Sequence, residues 1–217
     1  KPDTFINLLF SGRRKAVFLS YIFLSGIAGR HNLSLQPAKV QLFDNIMISG
    51  YFCTFVKIIS HMSLIKSISG IRGTIGGKPG DSLTPVDIVK FASAYGTWLL
   101  RRRGKKKLMV VTGRDARRSG AMVNNLVVTT LRALGIDVTD IGLATTPTVE
   151  LAVTGTGADG GVIITASHNP AHWNALKLLN EKGEFLSASD GNELLEIAGA
   201  EDFEFAMLDD TGSYLHD

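Results

Sequence analysis

Gly160-Gly161-Val162-Ile163-Ile164-Thr165-Ala166-Ser167-His168-Asn169-Pro170 is the stretch on which the reading of this chain turns. Its first half is a short apolar run with β-branched side chains, read as a buried strand over residues 161–165. Its second half is polar, and Asn169-Pro170 is a turn signal. The strand therefore runs straight into a loop that carries Ser167. Two earlier runs, residues 108–112 and 136–141, read as strands of the same kind. Helical patterns lie between them. Thr84 suits an N-cap with Pro85 at the first helical position, followed by Ile88, Phe91, Ala92, Tyr95 and Leu99 and a stop at Gly104. Residues 119–134 suit a second helix closed by Gly135, and Thr146-Pro147-Thr148 opens a third. Downstream, residues 174–185 read as a hairpin turning at Glu181-Lys182-Gly183-Glu184, and Ser189 begins a further helix. Upstream, the glycine-rich residues 69–77 read as loop or turn. Alternating strands and helices predict an α/β fold, a mixed and mostly parallel sheet sandwiched by helices. Ligands of such sheets gather at the carboxyl ends of the strands. Gly113-Arg114-Asp115 and the Ser167 loop both fall there.

Composition bounds the class. A chain of 217 residues with 45% hydrophobic and 20% charged residues has the make-up of a globular protein. A net charge of +3 is too small to argue for nucleic acid. The basic run Arg101-Arg102-Arg103-Gly104-Lys105-Lys106-Lys107 reads as a solvated helix end and loop. Cys53 is the only cysteine, which excludes an intramolecular disulfide and suggests a reducing, cytoplasmic setting.

Residues 1–61 do not match the rest. Arg13-Arg14-Lys15 precedes the apolar stretch from Ala16 to Ala28, a leader-like pattern that belongs at the very N-terminus, whereas the chain starts at Lys1. Three readings compete: an appended hydrophobic helix, a membrane-directing leader, or sequence outside the natural mature protein. The last is preferred because a self-consistent domain pattern starts at Met62 and is expected to occupy residues 62–217. Membrane contact is thus not expected of the first segment.

Taken alone, the Ser167 loop could be a connector whose side chains bond their own backbone. A hydrolase reading fails because Ala166 and His168 flank the serine where a strained elbow needs Gly-x-Ser-x-Gly. Gly155-Thr156-Gly157-Ala158-Asp159-Gly160 fits G-x-G-x-x-G, but it follows a helix and precedes a strand, the reverse of a dinucleotide site. Gly77-Lys78 is followed by Pro79 where a P-loop needs Ser or Thr.

The run Gly160–Pro170, with Asn174 and Lys177 behind it, resembles the active-site loop of the α-D-phosphohexomutases, a superfamily of phosphoglucomutases, phosphomannomutases and phosphoglucosamine mutases. Ser69-Gly70-Ile71-Arg72-Gly73 resembles the family's N-terminal arginine motif. Gly113-Arg114-Asp115 with Ser119-Gly120 resembles its second, and Thr146-Pro147-Thr148 fits the pattern between them. All occur in the family's order. The resemblance implies domain I of a four-domain enzyme in which Ser167 carries a phosphoryl group. That group passes to and from a hexose phosphate through a hexose 1,6-bisphosphate. It implies Arg72 and Lys177 as the active-site cations, His168 as a proton-handling or loop-structuring residue, and Asn169 at the phosphate. Arg114 and Asp115 would pair with each other and shape the cleft. One departure is Ala175, where many members have glycine, so the entry to the hairpin is expected to differ.

The family's Mg²⁺-binding aspartate loop is missing from these 217 residues, as are its sugar-reading and distal phosphate-binding parts. A phosphorylated Ser167 would supply only one oxygen to a Mg²⁺ that takes about six. The chain alone is therefore expected to be an inactive partial enzyme, with a sugar-phosphate-binding module lacking turnover as the alternative. The motifs carry no information on oligomeric state or on which hexose is used.

Overall fold

The computed structural model describes residues 63–67, 70–104 and 107–216, all within the unit Lys57–Asp217. The strands are β1 (Ile65–Ser67), β2 (Gly70–Thr74), β3 (Met109–Arg114), β4 (Asp137–Leu143), β5 (Gly160–Ile164), β6 (Trp173–Leu179) and β7 (Tyr214–His216). The helices are α1 (Pro85–Arg103), α2 (Gly120–Ala133), α3 (Thr146–Thr156) and α4 (Ala188–Ala200). One 7-stranded sheet runs in the order β1-β2-β6-β5-β3-β4-β7. It is parallel from β5 through β3 and β4 to β7. From β5 through β6 and β2 to β1 it is antiparallel. The mixed α/β sheet expected from the sequence is thus present.

The chain's path explains the layers. The step β3-α2-β4 moves one way along the sheet, and β4-α3-β5 moves back past β3. Right-handed crossovers then require α2 and α3 to cover opposite faces. Val123, Val127 and Leu131 of α2 accordingly pack with Phe91, Tyr95 and Trp98 of α1 and Leu194 of α4 in the main core. Val149 and Val153 of α3 sit in a separate cluster. Alternation along the strands divides neighbours between the two: Val110 and Val162 face the main core, Val111 and Ile163 the other. Each fully buried Val, Leu or Ile contributes about 1.5–3 kcal/mol of transfer free energy. The reversal also brings the ends of β3 and β5 side by side, with Arg114 opposite Ile164.

Helix α1 begins where the sequence marks it. Thr84 caps the N–H of Asp87, whose side chain returns to the Thr84 N–H, Pro85 follows, and Gly104 ends the helix in the left-handed region. Buried Tyr95 donates its hydroxyl to Leu179 O at 2.6 Å, with Gly161 O also in reach at 3.2 Å. Burial pushes that phenol's pKa far up, so it stays a neutral donor. The basic run at the end of α1 is largely neutralised: Arg101 pairs with Asp202, Arg102 with Asp190, Arg103 with Asp159, and Lys107 lies 3.7 Å from Asp137.

Three local expectations need correction. Residues 70–74 are strand β2, not loop. Gly70 sits at φ 124, and a Cβ there would lie 2.2 Å from Leu176 O, so its glycine permits a close strand approach rather than a turn. Residues 174–185 do not form a two-stranded hairpin. β6 pairs with β5 and β2 instead, and the return after the Asn180–Gly183 turn makes a single bridge, Leu179 to Phe185. Finally, Ala175 is regular strand opposite Arg72 and needs no positive φ.

The readings of residues 1–61, including Cys53 and the apolar stretch Ala16–Ala28, fall outside the described residues. No helix among the described residues is long and apolar enough to cross a membrane.

Candidate active site

Strand β5 delivers Thr165-Ala166-Ser167 to the carboxyl end of the sheet beside the end of β3. Ser167 is exposed there with φ 52, a conformation that costs a non-glycine residue about 1–3 kcal/mol. Its Oγ accepts a hydrogen bond from Lys177 Nζ at 3.0 Å. Lys177 lies on β6 directly opposite Ile163 and thus on the α3 face of the sheet. Its stem is half-buried, and its ammonium stands 5.8 Å from the centre of the Phe185 ring. Arg72, on β2, is opposite Ala175, two residues before Lys177. Side chains two apart on a strand share a face, so the two cations are diagonal neighbours. Arg72 is exposed and makes no hydrogen bond or ion pair within the described residues. A guanidinium without a partner next to an ammonium held on a serine hydroxyl suits an incoming phosphate.

His168 is exposed and also forms no hydrogen bond among the described residues. Asn169 contributes backbone only: its N–H donates to Ala166 O, and its carbonyl accepts from Arg117. The expected Arg114–Asp115 pair is absent. Arg114 reaches only the Asp115 carbonyl oxygen, at 3.3 Å. The Asp115 carboxylate takes Arg117 Nε at 3.1 Å, the Arg117 N–H at 3.0 Å and the Thr165 hydroxyl at 2.6 Å. A side chain two residues on can fold back over the loop, whereas the Arg114 side chain lies against Gly120 at the start of α2. Thr165 Oγ1 in turn accepts the Ser167 N–H at 3.0 Å.

Arg117 was not singled out in the sequence, where it is one of two adjacent arginines after Ala116. Its side chain is only 12% exposed, unusual for an arginine. Nothing local distinguishes it from Arg118; only the loop folded over it does. Asn174 is likewise structural. It is fully buried and donates to Ser119 Oγ at 3.0 Å, tying the start of β6 to the start of α2. That contact occupies the Ser119 hydroxyl, which makes no cap bond to α2.

The described residues do not make a Mg²⁺ site. No group of three or more His, Cys, Asp or Glu side chains is placed to hold a metal ion among them. The carboxylate nearest in the network, Asp115, is already committed to Arg117 and Thr165.

Comparison with known proteins agrees with this geometry. Residues 64–205 match the family described as phosphoglucomutase/phosphomannomutase, alpha/beta/alpha domain I. A phosphoglucomutase/phosphomannomutase of Thermococcus kodakarensis is 39% identical over 142 residues, covering 64% of this chain and 31% of the relative. A phosphoglucosamine/phosphogalactosamine mutase of Sulfurisphaera tokodaii is 36% identical over 142 residues, 65% of this chain and 29% of the relative. The crystal structure of a phosphoglucomutase/phosphomannomutase family protein from Burkholderia thailandensis superposes with a TM-score of 0.56 at 26% identity. It covers 73% of this chain and 33% of that one. The chain thus spans about a third or less of the length of the relatives it matches. Family match, sheet order and relatives together lead to one assignment: the chain belongs to the phosphohexomutase superfamily, and residues 64–205 are its α/β/α domain I.

Proposed function

We propose that this polypeptide is the phosphoryl-carrying part of a phosphohexomutase, an isomerase that exchanges phosphate between C1 and C6 of a glucosamine, mannose or glucose phosphate. The observation that carries the reading is Ser167 Oγ held at 3.0 Å from Lys177 Nζ on an exposed turn, with Arg72 unpaired beside it. In the forward step a hexose hydroxyl oxygen bonds the phosphorus of phospho-Ser167 as the P–Oγ bond breaks. Lys177 is in reach to donate a hydrogen bond to the departing Oγ, and exposed His168 is the candidate to take the hydroxyl proton. The reverse transfer, from the other position of the hexose 1,6-bisphosphate, restores the phosphoserine. Arg72 offers a fork to the phosphoryl oxygens, whose spread charge must be neutralised for transfer.

Mg²⁺ belongs to the proposal only for the longer protein. Phospho-Ser167 would give it one ligand, the others coming from outside these residues, and no step here runs through it. A cytoplasmic location is proposed on the single cysteine, Cys53.

The test is mass-spectrometric. The 217-residue chain is incubated with a hexose 1,6-bisphosphate and mapped for phosphoserine. Label on Ser167, absent in Ser167→Ala, is expected; label elsewhere or nowhere would sink the reading. The coverage of about a third of the relatives favours a second outcome for the 217-residue chain by itself. It would bind the bisphosphate in calorimetry without turning it over.

A further inference from the structure

One guanidinium holds the entire Ser167 turn. Arginine has five N–H donors in a rigid fork, and all of them are engaged at Arg117. Nε meets Asp115 Oδ2 at 3.1 Å. One terminal nitrogen donates to the carbonyl oxygens of Pro170 and Trp173, at 2.8 and 3.1 Å. The other donates to those of Ser167 and Asn169, both at 2.7 Å. These four carbonyls span the loop from the serine to the first residue of β6. Within it the backbone adds only Asn169 N–H to Ala166 O and Trp173 N–H to Pro170 O, and the His172 carbonyl accepts from Ile75 N–H outside it at 2.9 Å.

The same pair also reaches Ser167 from its other side. The Ser167 N–H donates to Thr165 Oγ1, and the Thr165 hydroxyl donates to Asp115 Oδ2, the oxygen that Arg117 Nε also contacts. A ring therefore closes through Ser167 N–H, Thr165, Asp115, Arg117 and the Ser167 carbonyl. With its N–H and C=O both tethered, the residue's φ and ψ are over-determined, which is how a strained serine persists at φ 52.

We propose that Arg117 is a positioning residue for Ser167: it clamps the backbone on both sides of the serine and so aims Oγ at Lys177. The clamp itself follows from geometry; its importance for phosphoryl transfer rests on the functional reading above. A lysine cannot replace it. An ammonium is a point charge with three donors and cannot reach four carbonyls and a carboxylate together. Charge alone is therefore insufficient.

The experiment compares the 217-residue chain with Arg117→Lys, Arg117→Ala and Thr165→Val by residue-resolved amide hydrogen exchange. In the same samples, Ser167 phosphorylation by a hexose 1,6-bisphosphate is followed. Both Arg117 variants are expected to speed exchange of the hydrogen-bonded loop amides, those of Ser167, Asn169 and Trp173, at least tenfold, leaving α1 and the β3–β5 ladder within twofold of the parent. Thr165→Val is expected to speed the Ser167 amide without freeing Asn169 and Trp173. Unchanged loop exchange in either Arg117 variant would overturn the clamp, and so would retention of full protection by Arg117→Lys. Global unfolding of both Arg117 variants would overturn it too, by making the residue a determinant of the sheet rather than of the turn. If the parent itself takes no label on Ser167, the functional reading fails for this chain while the exchange data still decide the clamp. Where the parent is labelled, both Arg117 variants should label at least tenfold more slowly.

Discussion

Ser167 and Lys177 meet because an antiparallel neighbour brings β6 back beside the strand that carries the serine. Ile163 and Lys177 are opposite each other, and Ser167 lies just past the end of β5. A hydrogen bond with a charged partner contributes about 1.5–3 kcal/mol. Lys177→Ala should therefore slow Ser167 phosphorylation about ten- to hundredfold. Its melting temperature should stay close to that of the parent, since Lys177 is half-buried at the sheet surface and only its stem packs. Phosphorylation followed by intact mass, with thermal melts alongside, checks both halves; a parent-like rate would remove Lys177 from the site. At this scale the sequence picked out Ser167, Arg72 and Lys177, which the structure places side by side at one end of the sheet. It was blind to Arg117, because that residue's function is defined by carbonyls up to 56 positions away.

At the scale of elements, helix starts were read well because their signals are local. Thr84-Pro85 opens α1 as read, whereas α4 starts slightly earlier than the expected Ser189, on a capping box of Ser187 with Asp190. Burial opposes the charge on Asp190, but hydrogen bonds from the Ser187 hydroxyl and N–H and the Arg102 guanidinium outweigh it. The carboxyl is thereby held below its ordinary value. A carboxylate with a lowered folded-state pKa stabilises the fold at pH above its unfolded value of about 3.9. That contribution is lost as pH falls through the folded value. Asp190→Asn should lower stability by about 1 kcal/mol near pH 7. The gap to the parent should close as pH drops below about 4, which thermal melts across pH 7 to 3 would reveal. A gap that persists at pH 3 would mean packing, not charge, sets the difference. Strand β2 was misread for the opposite reason. Its glycines carry no local pattern: Gly70 is explained by the backbone of β6, and Gly73 by the backbone of Leu83.

For the molecule as a whole, the larger of the two cores among the described residues lies on the side of α1, α2 and α4. The α3 side is covered more thinly, with Leu143 and Leu151 exposed beside the smaller cluster. Holding both reactants in register supplies much of the acceleration in a transfer reaction. A chain whose match covers about 31% of a relative should lack most of that grip. We expect hexose-phosphate isomerisation by the 217-residue chain to be at least about a thousandfold slower than by the full-length Thermococcus kodakarensis relative. Coupled assays on both polypeptides would check this, and comparable rates would show that one domain suffices.

The sequence by itself determined the alternation of strands and helices, the caps of α1, and the serine and two cations of the candidate site. Each of those follows from residues close in the chain or from a motif of fixed spacing. Tertiary structure alone decided that β2 is a strand and that one guanidinium reaches four carbonyls of the Ser167 turn. Those outcomes depend on groups that become neighbours only when the sheet closes, and no local pattern encodes a neighbour that has yet to arrive.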